Sequence, residues 1–121
     1  MDADAMRQRT KLFALRILRL VKSMPRSVEA RAIAQQIVRS GTSIGANYRS
    51  ACRGRSRAEF AAKLAIALEE ADETAWWLEL IIEGEILTAN RVQPLLTEAN
   101  ELTAILSAAR QTTRRNTPNL K

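Results

Sequence analysis

Residues 56–81 read SRAEFAAKLAIALEEADETAWWLELI, and this stretch decides the fold. Its apolar and small residues recur at alternating spacings of four and three: Phe60, Leu64, Ala67, Ala71, Thr74, Leu78 and Ile81. That spacing is typical of one face of an α-helix. Ser56 and Glu59 form a capping box, in which the serine oxygen accepts from the amide of Glu59 and the glutamate reaches back to the amide of Ser56. The pattern predicts one long helix that ends near Gly84.

The segment before this stretch predicts a second helix with the same spacing. Ser27 is a good N-cap, and Glu29 stands in the first turn, where the helix dipole favours an acid. The buried face is predicted to comprise Ile33, Ile37, Ser40, Ile44 and Asn47. Ser40 and Asn47 are polar, so we expect them to need hydrogen-bond partners and to fix the register of packing.

Two glycines, Gly41 and Gly45, lie inside the second helix. Each costs about 1 kcal/mol relative to alanine in a helix, so a break at Ser40 is an alternative. The four–three spacing of the buried face continues unchanged past both glycines, which favours a continuous helix. Because the two glycines are four residues apart, they share one face and would allow another helix to approach closely.

The two ends of the chain predict one helix each. The first runs from Asp4 to Ser23 and is ended by Pro25, because the residue before a proline avoids the helical region. Its core face comprises Phe13, Ile17, Leu20 and Met24, its apolar stripe is widened by Leu12, Leu15 and Leu18, and its solvent side carries Arg9, Arg16 and Arg19. The fourth runs from Thr88 to Arg114, with a buried face of Val92, Leu95, Ala99, Leu102, Leu106 and Ala109.

Three short connections, near Met24–Ser27, Arg53–Ser56 and Gly84–Thr88, join these segments. Short connections force sequential helices to lie antiparallel. The sequence therefore predicts an all-α protein, an antiparallel up-down-up-down four-helix bundle. We expect one domain over residues 1–115 and a disordered tail over 116–121.

The residues that the chain lacks argue against several classes of function. It has no histidine, which removes the commonest general base and transition-metal ligand, and its single cysteine, Cys52, allows no internal disulfide. The longest stretch without a charge, Ser40 to Tyr48, is far shorter than the ~20 residues of a membrane-spanning helix. We expect a cytoplasmic protein that is not an enzyme and has no metal, no cofactor and no membrane partner.

The charge is unevenly distributed. Residues 1–57 carry 13 Lys/Arg and 3 Asp/Glu, whereas residues 58–121 carry 6 and 10. Four arginines cluster at the junction of helices two and three: Arg49, Arg53, Arg55 and Arg57. Such a cluster indicates bidentate binding to phosphates, or alternatively a solvated bundle end where arginines cap carbonyl groups. Arg16, Arg19 and Lys22 are expected to extend the surface that binds nucleic acid.

The third helix carries an acidic cluster and a pair of tryptophans. Glu69, Glu70, Asp72 and Glu73 are interpreted as partners for interhelical ion pairs, with Arg31 and Arg39 as the expected cations. Adjacent residues point about 100° apart on a helix, so Trp76 and Trp77 cannot both face the centre of one seam. We expect the tryptophans, with Leu12 and Leu15, to form an oligomer interface; the alternative is that both simply flank the core.

The order of several motifs resembles the 23S rRNA intervening-sequence protein family, a family of four-helix bundles. The matching residues are Met24-Pro25, Glu29, Gln36, Arg39, Ser43, Ile44, Asn47, Arg55, Glu59-Phe60 and Trp77-Leu78-Glu79-Leu80. Much of the family continues after the asparagine with Ile-Ala-Glu-Gly, where this chain has Tyr48-Arg49-Ser50-Ala51. Any role of that acidic position therefore does not carry over.

The resemblance implies a bundle that assembles into a homopentameric ring. Some relatives are encoded inside rRNA intervening sequences, and others are similar to the accessory proteins of diversity-generating retroelements, which bind nucleic acid and a reverse transcriptase. We expect a non-enzymatic nucleic-acid-binding accessory protein that binds RNA or DNA by charge. The alternative is a structural or adaptor ring whose partner is another protein, such as a reverse transcriptase.

Overall fold

A computed structural model describes residues 2–116, and within them the chain forms four α-helices and no strand. The helices are α1 (Ala3–Val21), α2 (Val28–Cys52), α3 (Arg57–Glu83) and α4 (Ala89–Arg115). The all-α class, the three connections and the continuous second helix are confirmed. Of the predicted tail, residues 117–121 lie outside the described part of the chain, and Asn116 caps α4.

Each helix packs against its neighbours in sequence, and α1 also touches α4 over a short stretch. Within the described residues α1 does not contact α3, so these two helices occupy opposite corners of the bundle. This arrangement agrees with the predicted antiparallel order. None of the four helices is both long and apolar enough to cross a membrane.

The first helix ends two residues earlier than predicted. The amides of Ser23 and Met24 donate to the carbonyls of Leu20 and Val21, three residues back, and these bonds tighten the chain into a turn before Pro25. Met24 still packs against the core from this turn. The apolar spacing therefore predicted its burial correctly, although the residue lies outside the helix.

The glycines of α2 lie where α1 crosses it. A Cβ atom on Gly41 would lie 3.0–3.3 Å from side-chain atoms of Ile17, and one on Gly45 would lie 3.1 Å from Oγ1 of Thr10. Real Cβ atoms rarely come this close to their neighbours. The prediction that these glycines admit another helix is confirmed, and the helix is α1.

Polar side chains in the core have partners. Oγ1 of Thr74 lies 2.9 Å from Oγ of Ser40, which joins α3 to α2, and both residues are fully buried. Asn47 is only half-buried, and its amide donates within α2 to the carbonyl and hydroxyl of Ser43. Ser40 therefore makes the interhelical contact expected of both residues, whereas Asn47 bonds only within its own helix.

Ion pairs join the helices near the surface. Arg39 bonds Glu70 at 3.0 Å and also Glu73, as predicted, but Arg31 makes no ion pair within residues 2–116. Arg9, predicted to face solvent alone, pairs with Glu98 at 2.7 Å and with Glu101 at 2.9 Å. The hydrogen bond that Arg9 donates to the carboxylate of Glu98 is the main reason why the pKa of Arg9 is raised. This fork ties α1 to α4, where the two helices otherwise touch little.

Candidate nucleic-acid interface

The connection between α2 and α3 is a short turn held by two caps. Oγ of Ser56 accepts from the amide of Glu59 at 3.1 Å, as predicted. The carboxylate of Glu59 accepts from the amide of Arg55, one residue before the predicted donor. At Gly54 an added Cβ would lie 3.1 Å from the carbonyl oxygen of Ala51, so the turn has little room for a side chain there. The caps and this tight packing hold Arg53 and Arg55 on a defined backbone.

A groove of about 700 Å³ lies between α1 and α2. Small residues of the two helices form part of its lining, among them Ala14, Thr42, Gly45 and Ala46. Its cationic residues are Arg7 and Lys11 from α1 and Arg49 and Arg53 from α2's end. Among the described residues no carboxylate lines this groove.

A second groove of about 770 Å³ lies between α2 and α3. Arg49 and Arg53 line this groove as well as the first, and Arg55 and Lys63 add two further cations. The one acidic residue in its lining is Glu59, whose carboxylate is already engaged by the backbone of Arg55. Arg49 and Arg53 therefore stand on a ridge between two basic grooves.

A third depression lies at the end of the bundle, beside the last residues of α4. It is lined in part by Arg7, Arg55 and Arg57, and Nη1 of Arg57 donates to the carbonyl of Asn116 at 2.9 Å. The three depressions share residues, so they form one surface, which we call the basic end. Its seven cationic residues are Arg7, Lys11, Arg49, Arg53, Arg55, Arg57 and Lys63.

Within residues 2–116, few acidic side chains lie close to the cations of the basic end. Seven Lys/Arg stand against one carboxylate in the lining. Arg7 pairs with Asp4, but no ion pair within the described residues involves Arg49, Arg53 or Arg55. Guanidinium groups without internal partners keep their donors available for an anionic ligand.

The structure does not place Arg16, Arg19 and Lys22 in the lining of the basic end, and their predicted part in binding nucleic acid stays a prediction. Arg19 is twelve residues beyond Arg7 on α1, about 18 Å along the helix. Arg16 and Arg19 instead line a separate depression with Arg91, whose guanidinium donates to Oγ of Ser23 at 2.8 Å. The antiparallel order explains this separation, because the end of α2 lies beside the start of α1.

Sequence reasoning missed three members of the basic end: Arg7, Lys11 and Lys63. Arg7 and Lys11 are four residues apart, a spacing that places both on one side of α1. That signal is present in the sequence. It becomes informative only once the Gly45–Thr10 contact shows which part of α1 lies beside Arg49.

Beneath the basic end, Tyr48 is buried next to Cys52. Burial raises the pKa of the tyrosine to about 12, and the neighbouring thiol adds to the shift. Tyr48 therefore stays neutral over the physiological range. Because its ring is 8% exposed, it offers no face on which a base could stack.

The residues predicted for an oligomer interface occupy two different faces. Leu12 and Leu15 are 54% and 47% exposed on α1, and Trp76 is 55% exposed on α3. Trp77 is half-buried against the core, and its Nε1 donates to Glu73 at 3.0 Å. The tryptophans thus point in different directions, as their adjacency predicts.

Within residues 2–116 no group of three or more acidic or cysteine side chains is arranged to hold a metal ion. The fold and the basic end define a four-helix bundle with one strongly cationic end. The chain belongs to the 23S rRNA-intervening sequence protein family, whose model matches residues 4–108. The family indicated by the motifs is confirmed.

A solved structure agrees with this assignment. The crystal structure of a protein of unknown function from the S23 ribosomal protein family of Bacteroides thetaiotaomicron is 38% identical in sequence. The match covers 92% of this chain and 99% of that chain, with a TM-score of 0.84. A comparison with curated proteins gives no match.

Proposed function

We propose that this chain is a non-enzymatic, cytoplasmic accessory protein that binds nucleic acid through the basic end of each subunit of an oligomeric ring. The observation that carries the proposal is the lining of the basic end, which in residues 2–116 contains seven cationic side chains and one carboxylate. A surface of that kind suits a polyanion, because each phosphate contact releases condensed counterions.

The chemistry favours recognition of the backbone over recognition of bases. Arg49, Arg53 and Arg55 offer planar guanidinium forks that match phosphate oxygens. Stacking on single-stranded bases needs exposed aromatic rings, but Tyr48 is buried and Phe60, which lines the third depression, is partly buried against the core. Binding should therefore depend on charge and shape, with little preference for sequence.

The name of the family refers to ribosomal RNA, which supports RNA as the first ligand to test, with DNA as its comparison. The alternative function is a structural or adaptor ring that binds a protein, such as a reverse transcriptase. The two functions differ in their response to salt, because contact with phosphates releases counterions in proportion to the number of contacts.

A salt titration of binding to a generic RNA hairpin and to duplex DNA tests the proposal. The logarithm of the affinity should fall linearly with the logarithm of the salt concentration, at about −0.7 to −0.9 per phosphate contacted. A steep slope for both ligands supports binding to the backbone. No detectable binding at low salt would reject the proposal and favour the adaptor function.

A further inference from the structure

Two exposed faces of the bundle carry opposite charges beside apolar side chains. The first, the leucine face, is on α1 and comprises Leu12, Leu15, Leu18, Arg19 and Lys22. These residues recur at spacings of three, four and seven, so they lie on one side of the helix. All five are exposed. The face therefore presents three leucines together with two cations.

The second, the tryptophan face, is on α3 and comprises Glu69, Asp72, Trp76, Glu79 and Glu83. Its spacing alternates between three and four, which again places every member on one side. Trp76 is 55% exposed, whereas tryptophan side chains in folded proteins are usually more buried. Four carboxylates surround it.

In the part of the chain that the structure describes, the charges of both faces lack ion-pair partners. Within residues 2–116, Arg19 and Lys22 make no ion pair, and neither do the four carboxylates of the tryptophan face. The carboxylates that pair with Arg39, Glu70 and Glu73, lie on a neighbouring side of α3. Because α1 and α3 occupy opposite corners, the two faces point away from each other and cannot meet within one subunit.

The two faces also lie at the same height along the bundle. Ala3 of α1 and Phe60 of α3 line the same depression, so the starts of the two helices are level. In the antiparallel order α1 and α3 run in the same direction, and both rise 1.5 Å per residue. Leu12–Lys22 of α1 is therefore level with about residues 69–79 of α3. A neighbouring copy needs no displacement along the bundle axis to bring the faces together.

We infer that the leucine face of one subunit packs on the tryptophan face of a second copy of this chain. The occupant is another copy because the faces match in charge, in apolar content and in height. Such a head-to-tail contact uses two different surfaces of each subunit, and a contact of this kind builds a ring when the rotation between successive subunits closes. This inference rests on the oligomeric part of the proposed function and names the surfaces that build it.

Arg19 and Lys22 have a different role in this assembly. Both were expected to contact nucleic acid, but they flank exposed leucines and stand away from the basic end. In the assembly they face the carboxylates of the neighbouring subunit. The aromatic ring and leucines supply the buried centre of the contact, and the charges orient the partner and exclude wrong registers.

Charge reversal with rescue tests the pairing by light scattering in the absence of nucleic acid. Arg19→Glu with Lys22→Glu should convert the oligomer to a particle of one chain, 13.5 kDa. Asp72→Lys with Glu79→Lys should do the same. A chain that carries all four changes restores opposite charges across the contact, and its mass should return to that of the unmodified protein.

Arg49→Glu with Arg53→Glu is the matched control, because it reverses two cations away from both faces. Its mass should be unchanged even if it binds no RNA, which separates a failure of this inference from a failure of the proposed function. Circular dichroism verifies that every variant keeps its helices. A monomeric unmodified protein at micromolar concentration, or a fourfold variant that stays monomeric while folded, would overturn the pairing. Unchanged mass in both double reversals would overturn it equally.

Discussion

The hydroxyl groups of Thr74 on α3 and Ser40 on α2 are hydrogen-bonded at 2.9 Å where the two helices pack together. Both residues are fully buried, and Oγ1 of Thr74 also lies 2.7 Å from the carbonyl of Glu70. The pair is surrounded by a mainly apolar core. The two hydroxyl groups therefore satisfy each other by a hydrogen bond between α2 and α3.

Thr74→Val should lower the free energy of unfolding by about 1–3 kcal/mol, because it leaves Oγ of Ser40 buried without its partner. Ser40→Ala combined with Thr74→Val should cost less than the two single changes added together, since no hydroxyl is then left unpaired. Urea denaturation at one fixed protein concentration measures all three variants. If the loss of unfolding free energy in the double variant equals the sum of the two single losses, the hydrogen bond contributes nothing to stability.

Gly41→Ala should destabilise the bundle although alanine favours a helix by about 1 kcal/mol over glycine. The added methyl group meets Ile17 at 3.0–3.3 Å, and overpacking of this kind costs about 1–3 kcal/mol. Ala32→Gly, at an exposed position of the same helix, is the control. Its loss of unfolding free energy measures how much alanine is favoured over glycine in α2 where no packing is involved. If Gly41→Ala stabilises the protein by this amount, α1 has room to move and the close contact is not required.

Most of the fold could be predicted from the sequence because local signals agreed with one another. Apolar residues keep the same helical spacing on both sides of Gly41, and this predicted a continuous α2. In the structure, close packing against α1 outweighs the lower helix propensity of glycine. The end of α1 was predicted less well. Spacing correctly indicated that Met24 packs against the core, where it is partly buried, but spacing cannot tell a residue in a helix from one in the following turn.

Titration of the single tyrosine reports on the surroundings of Tyr48. The ultraviolet absorbance of tyrosinate should show a midpoint near pH 12 in the folded protein and near 10 in denaturant. Because the folded pKa is the higher one, this contribution to stability is fully present below pH 10 and is lost as the pH rises towards 12. Cys52→Ala should lower the midpoint only in part, since burial is the larger cause. A folded-state midpoint near 10 would contradict the burial of this ring.

The two tryptophans should respond differently to replacement by alanine. Trp77→Ala removes core contacts and the bond to Glu73, so it should cost about 2 kcal/mol of folding stability in the monomer. Trp76→Ala should leave the stability of the monomer nearly unchanged and should reduce assembly. Denaturation below the assembly concentration and light scattering above it separate the effects. If both variants lose the same unfolding free energy, both tryptophan rings stabilise the core.

The candidate site could be predicted only in part, because it combines residues from distant parts of the chain. Arg49, Arg53, Arg55 and Arg57 are close in sequence, and their clustering was visible there. Arg7 and Lys11 join them through the Gly45–Thr10 contact, which is a consequence of packing. Arg19 and Lys22 lie apart from this group, and charge alone does not indicate which end of a bundle a residue occupies.

The central claim is that the ridge between the two basic grooves binds the phosphate backbone. Its most direct test is the affinity for a generic RNA hairpin at fixed salt, measured for Arg49→Glu with Arg53→Glu and for the matched control Arg26→Glu with Arg31→Glu. Both variants reverse two exposed arginines, so they lower the net charge equally. We predict a loss of more than about tenfold for the ridge variant and a much smaller loss for the control. Equal losses, or none in the ridge variant while it remains folded and assembled, would contradict the account.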